Sequence, residues 1–283
     1  MDSLIAELTL LRKRVATWIL LGFWLVLTIL FAYVLPYYAY KGDIRFRERG
    51  GAALLAIMLP HNLVASLLSG FPFFGGTIIL ILGVLTMGSE YTWGTLTSAF
   101  TQRASRLKVF FSKMLALAIA IVPFVLLVFL LGFIASLLIA LAENQPIDLP
   151  SAWQVLQALA IAWFIMAVWG SFGVLIAVLS RGTSLAIGLG LIYGLVLEGI
   201  ISAFTNEITL LDYMSKAFLR TNGYSLVASL ATTVTGGGGG PGGLQSSQIV
   251  SGTQAVLVLA LEIVVFIIVA AALVRRRDVA GSS

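Results

Sequence analysis

The chain has no cysteine and a single histidine, His61. Disulfides, thiolate metal centres and cysteine nucleophiles are excluded, and one histidine cannot build a His-rich metal site within one chain. Charge is scarce as well. Only 10% of the 283 residues are Asp, Glu, Lys or Arg, against about 25% in an ordinary soluble domain. No Asn-x-Ser/Thr sequon occurs, so the sequence is silent on a secretory route. There is no Gly-rich loop ending in Lys-Ser/Thr that could cradle ATP, and no His-Glu-x-x-His. No basic stretch sits on a soluble domain, which argues against nucleic acid as a partner.

What the chain has is apolar length. Hydrophobic residues make up 60% of it, too many to be covered by polar groups in water, so it reads as an integral membrane protein. Six runs reach or approach the roughly 20 apolar residues that cross a bilayer. They cover approximately 15–40, 62–89, 114–142, 151–180, 182–206 and 249–274. The fifth is interrupted only by Glu198 and the sixth only by Glu262. Backbone groups find no water in lipid, so each run is expected to be helical. The expected fold is an all-α membrane protein with six transmembrane helices in one domain, residues 1–283. The first run is about twice the length of a signal-peptide core and has no small-residue cleavage site nearby, so it is expected to be retained. Pro123 should kink the third run or mark its first turn.

The segments between the runs differ in character. In residues 2–14, Leu4, Leu8 and Leu11 share a helical face opposite Lys13, interrupted by Leu10; an interfacial helix along the inner leaflet fits. Residues 207–248 form the longest connection, read as an outer loop. Spacing around Leu210, Met214, Ala217 and Phe218 suggests a surface or re-entrant helix. Residues 236–243 are Gly-rich and flexible by composition. With the N-terminus inside, eleven Lys and Arg fall on the inner side and six on the outer. The positive-inside rule favours that orientation, with both termini cytoplasmic.

The densest polar information lies between the second and third runs. Met87-Gly88-Ser89-Glu90-Tyr91-Thr92-Trp93-Gly94-Thr95-Leu96 is followed by Arg103, Arg106, Lys108 and Lys113. Gly94 permits a sharp bend, and Ser89 or Thr92 can cap a short helix. Leu96 and Phe100, four apart, give that helix one apolar face. Such a stub can insert into a groove on a soluble partner. Glu90 has several bases within reach.

The pattern of acid, aromatic, Gly-Thr-Leu, Ser-Arg and a following Lys resembles that of ABC-2 type transporter permeases. It matches at Glu90, Gly94, Thr95, Leu96, Ser105, Arg106 and Lys113, and departs at Thr92 and Trp93, where a basic residue is common. The resemblance implies a permease subunit of an exporter, with a coupling helix between spans two and three formed around Tyr91, Gly94, Thr95, Leu96 and Phe100. It implies docking on a cytoplasmic ABC ATPase subunit that binds the ATP and magnesium, a second permease copy or homologue, and a place in the plasma membrane. The permease itself would be no enzyme and carry no cofactor. The exported substrate would be an amphiphile such as a drug, peptide or lipid-like compound.

Two further acids stand inside the spans. Ala186, Gly190, Gly194, Glu198 and Ser202 recur every fourth residue, and small residues at that spacing let helices approach closely. Glu198 is therefore expected to face protein or a cavity, because an acid at that depth is costly in lipid. Glu262 sits a similar distance from the outer end of its own span. The pair could serve a pathway or a switch, or be structural. Two other readings of the whole chain remain open: a membrane scaffold or immunity protein, and a membrane-embedded enzyme, for which no catalytic constellation is seen.

Overall fold

A computed structural model describes residues 2–42, 51–93, 106–204, 208–231 and 249–276. The regular structure of the described residues is all helical, with no strand. The helices are α1 (Asp2–Lys13), α2 (Val15–Gly42), α3 (Ala52–Ala56), α4 (Pro60–Ser89), α5 (Arg106–Ala142), α6 (Ala152–Ser180), α7 (Ser184–Ile201), α8 (Thr209–Ser215), α9 (Leu219–Ala231) and α10 (Gly252–Arg276). Six of them, α2, α4, α5, α6, α7 and α10, are long and apolar enough to cross a membrane. The protein is an all-α, six-span membrane protein.

Local chemistry sets several boundaries. Ser151 opens α6 with a capping box: the Gln154 N–H donates to Ser151 Oγ, and the Ser151 N–H donates to Gln154 Oε1 at 2.9 Å. Arg181 closes the same helix in the left-handed region, at φ 55°. Helix α5 runs through Pro123 without interruption. Three spans contain a π-helical turn: Leu30–Val34 in α2, Phe71–Gly75 in α4 and Ile192–Leu197 in α7. All three fall in the half of their span that is remote from Arg14, Ser89 and Arg181. Those three residues mark the basic end of the bundle.

The bundle is built around α4 and α6, each about 72% buried over its most apolar stretch. Their backbones touch. A Cβ on Gly83 would collide with the Gly170 carbonyl, and one on Gly173 with the Leu80 carbonyl. Only glycine allows that approach, and the resulting contact is backbone on backbone. Helix α7 joins the same seam through its stripe of small residues. Gly190 lies under the Leu80 side chain, Gly194 lies under the Trp169 ring, and Ala186 is fully buried. Trp169 is itself 2% exposed and stacks edge-on with Phe172 and Tyr193. It fills space in the core; Trp163, by contrast, is partly exposed, donating to the Ala118 carbonyl at 2.9 Å.

Two segments show packing that the sequence pattern alone does not specify. The leucine face of α1 is taken up by protein: Leu11 is 3% exposed, and Leu4 and Leu8 pack against the core, with α5 as the main neighbour. Ile5 and Leu10 face outward. In the long connection, helical spacing around 210–218 corresponds to the short α8, but a second helix follows. Helix α9 is largely buried against α10, α6 and the first half of α4. Its polar residues bond the segments on either side of it. Asn222 Nδ2 donates to the Lys216 and Phe218 carbonyls, and Ser225 Oγ accepts from the Ile249 and Val250 amides just before α10. Residues 236–243 lie outside the described residues.

Candidate functional site

At the basic end, three elements converge on the residues that flank segment 94–105. Lys113, near the start of α5, has a side chain only 2% exposed. A buried ammonium needs a partner, because an uncompensated charge there is costly. Glu7 of α1 is one: Lys113 Nζ lies 2.8 Å from both carboxylate oxygens. Glu7 lies on the same face as Leu4, Leu8 and Leu11, so the packing that buries the leucines also delivers the acid. Arg14, at the junction of α1 and α2, reaches α4. Its guanidinium donates to the Leu85 carbonyl at 2.5 Å and to Ser89 Oγ at 2.9 Å. Gly88 packs against Gly182 and Thr183, the turn between α6 and α7. The last turns of α4 therefore touch the α1–α2 junction on one side and the α6–α7 turn on the other.

The sequence-predicted residues fall around this frame unevenly. Lys113 is part of it. Glu90 and Tyr91 prolong α4 past its spanning part, in a helix that runs to Trp93, and Arg106 begins α5, but their side chains lie outside the described residues. Gly94, Thr95, Leu96 and Phe100 lie outside them altogether. Glu7 and Arg14 were not anticipated. The signal was present for Glu7, as an acid on the otherwise leucine-lined face of α1.

A second polar cluster lies in the other half of the bundle. Glu198 is fully buried, as its stripe of small residues implied. Its Oε2 accepts the Arg220 backbone N–H at 3.0 Å. This bond comes from the first turn of α9, where amides have no partner within their own helix. The Arg220 side chain forms a looser ion pair, with Nε 3.9 Å from the same oxygen, and donates to the Gly194 carbonyl at 3.3 Å. Its guanidinium also lies 5.7 Å from the Phe73 ring centroid. Tyr193 flanks Glu198, and Glu262 of α10 lies within its electrostatic reach. Among the described residues, Glu198 Oε1 and Glu262 Oε2 meet no hydrogen-bond donor. Arg220 was not foreseen, because nothing in the sequence marks residue 220 as sitting beside residue 198.

The ends of the spans are also tied on the side away from the basic end. Lys41 Nζ lies 2.8 Å from Glu143 Oε1, and the Tyr37 hydroxyl donates to the same oxygen at 2.8 Å. His61 lies within 2.9 Å of Asn62 Nδ2 at the start of α4, a helix-end polar residue. Among the described residues, no group of three or more His, Cys, Asp or Glu could hold a metal ion.

The family model described as ABC-2 family transporter protein matches residues 3–197, more than half of the chain. The chain belongs to the ABC-2 transporter family. The matched residues run from α1 into the π-helical turn of α7. They include Glu7, Arg14, the α4–α6 seam, segment 94–105 and Lys113. Glu198, Arg220 and Glu262 of this ABC-2 chain lie beyond them. No curated protein matches the chain.

Proposed function

We propose that this ABC-2 chain is the permease subunit of an exporter, coupling ATP hydrolysis by a separate cytoplasmic ATPase subunit to movement of an amphiphilic substrate. The observation that carries this reading is the build of the basic end. The helices bracketing segment 94–105 are joined at their roots, and the first of them, α4, touches α6 backbone to backbone. A partner that displaces residues 89–106 pushes on α4 directly and on α6 and α7 through the glycine seam. Transport then follows from a two-state change that nucleotide biases in the partner. Glu90 sets the angle of the segment, Leu96 and Phe100 give it an apolar face for the partner, and Arg106 and Lys113 anchor its return. A second permease copy or homologue completes the pathway.

Of the two acids in the spans, Glu198 has the bonds of an anchor that holds α9 to α7. Glu262 is the freer of the two and the better choice for a pathway contact. The chain sits in the plasma membrane with its basic end and both termini in the cytoplasm.

Co-purification tests the partnership. The chain is expected to carry a Walker-motif ATPase with it and to hydrolyse no ATP alone; robust hydrolysis by the isolated chain would contradict the reading. Orientation is tested in intact cells, since the native chain has no cysteine. A membrane-impermeant thiol reagent should label Gly238→Cys and spare Gln102→Cys, and the opposite pattern would invert the topology.

A further inference from the structure

We infer that Arg220 is a gating residue of the transport cycle: it latches the π-helical turn of α7 to that of α4, and the latch opens when α7 moves. This deepens the permease reading above and rests on it.

The three π-helical turns lie in one half of the bundle and are joined in a row. Phe31 of the α2 turn stacks on Phe74 of the α4 turn with centroids 5.0 Å apart, and Phe74 meets Phe73 edge-on. The Arg220 guanidinium lies 5.7 Å from the Phe73 ring centroid and donates to the Gly194 carbonyl, inside the α7 turn, at 3.3 Å. A π turn closes its hydrogen bonds over one residue more than an α turn. When such a turn moves along its helix, each residue it passes is re-aimed by about 100°, the angle one residue takes up in an α-helix. A π turn free to move is therefore a hinge.

The α4 and α7 turns differ in what pins them. The α4 turn contains Pro72, which has no N–H to give the ladder and so holds the irregularity in place. Its Gly75 is packed against Trp24 and Met166, and Pro72 against Gly223 of α9. The α7 turn has no proline, and its Ile192, Leu195, Val196 and Leu197 face outward. Tyr193 and Gly194 pack on Phe172 and Trp169, through apolar contacts that have no direction and let a helix slide. Arg220 supplies directional bonds. Its side chain holds Gly194 within the turn, and its backbone N–H donates at 3.0 Å to Glu198, the residue that follows the turn. The two grips are four residues apart, so the turn cannot shift past them without breaking one. A planar guanidinium meets the Phe73 ring and the Gly194 carbonyl together; an ammonium lacks that fork.

Amide hydrogen exchange reads the α7 turn directly. The chain and its ATPase subunit are assembled in lipid nanodiscs, and exchange over 192–197 and over 71–75 is followed with and without ATP. In wild type, ATP is expected to speed exchange over 192–197. Arg220→Gln and Arg220→Lys should exchange there roughly tenfold faster without ATP, with little further rise when it is added. Phe73→Leu removes no hydrogen bond from α7, yet should give about a threefold rise by taking away the footing on α4. Exchange over 71–75 should stay at the wild-type rate in both Arg220 variants, whereas a fold that had merely loosened would speed up in both stretches. Wild-type exchange over 192–197 in the Arg220 variants overturns the inference, as does an equal rise over both stretches. So does a wild-type α7 turn that ignores ATP while the same complex transports in liposomes. A wild-type complex that moves no amphiphile at all would instead overturn the permease reading on which the inference stands.

Discussion

Spans α4 and α6 and spans α7 and α10 are all apolar enough to cross a membrane, yet they are used in opposite ways. The first two are each about 72% buried over their most apolar stretch; α7 and α10 are 22% and 11% buried. Hydropathy does not separate them. Contact at the backbone does: Gly83 against Gly170 and Gly173 against Leu80 bring α4 and α6 together with nothing between. In lipid, where leucine gains little from leaving one apolar environment for another, close packing and interhelical polar bonds decide which helices associate. The α7–α9–α10 region uses the polar route. Glu198, Arg220 and Ser225 tie these elements together, while Leu185, Leu189, Ile192 and Ile200 of α7 face outward.

The contrast can be broken most severely at the seam. Gly83→Leu or Gly173→Leu puts a side chain into the facing backbone, which cannot yield. The expected result is loss of at least about 3 kcal/mol of stability, read as collapse of monodisperse yield or a large fall in unfolding temperature. Tolerance of either change would mean the two backbones are not in contact. The polar region should break more gently. Glu198→Ala removes the acceptor for the Arg220 amide and leaves a half-buried guanidinium without its acid. A loss of about 1–3 kcal/mol is expected, with Glu198→Gln retaining part of it; equal behaviour of the two would remove charge from the explanation. Ser225→Ala should cost about 1 kcal/mol through the Ile249 and Val250 amides. At the small end, Leu189→Ala on the outward face of α7 should change the chain's own stability by less than about 0.5 kcal/mol. A large loss there would show that the face is already packed within one copy.

The sequence made the six spans legible because span length and the absence of charge are one-dimensional properties. The stripe from Ala186 to Glu198 was legible for a similar reason, since a four-residue repeat names a helix face without naming what covers it. The partners were not legible. Lys113 was visible as a base behind the 94–105 segment, but Glu7 lies more than a hundred positions earlier and is brought near only by α1 folding back onto α5. Helix α9 was hidden for a different reason. Its interior carries Asn222, Ser225 and Ser229, and a stretch of that polarity reads as a connection until bonds to Lys216, Phe218 and Val250 show where the polar groups go.

The two regions also differ in what a partner could reach. The α7–α9–α10 cluster is an internal tie, whereas the basic end presents the roots of 94–105 to whatever lies outside the bilayer. Coupling through that end is the central claim, and Glu90 tests it most directly. The chain and its ATPase subunit are reconstituted together in liposomes, and ATP hydrolysis and uptake of a fluorescent amphiphile are measured side by side for wild type and Glu90→Ala. Insertion, assembly and hydrolysis are expected to persist in the variant while the amphiphile transported per ATP falls steeply, with Glu90→Gln milder. An unchanged ratio in Glu90→Ala would contradict coupling through this segment.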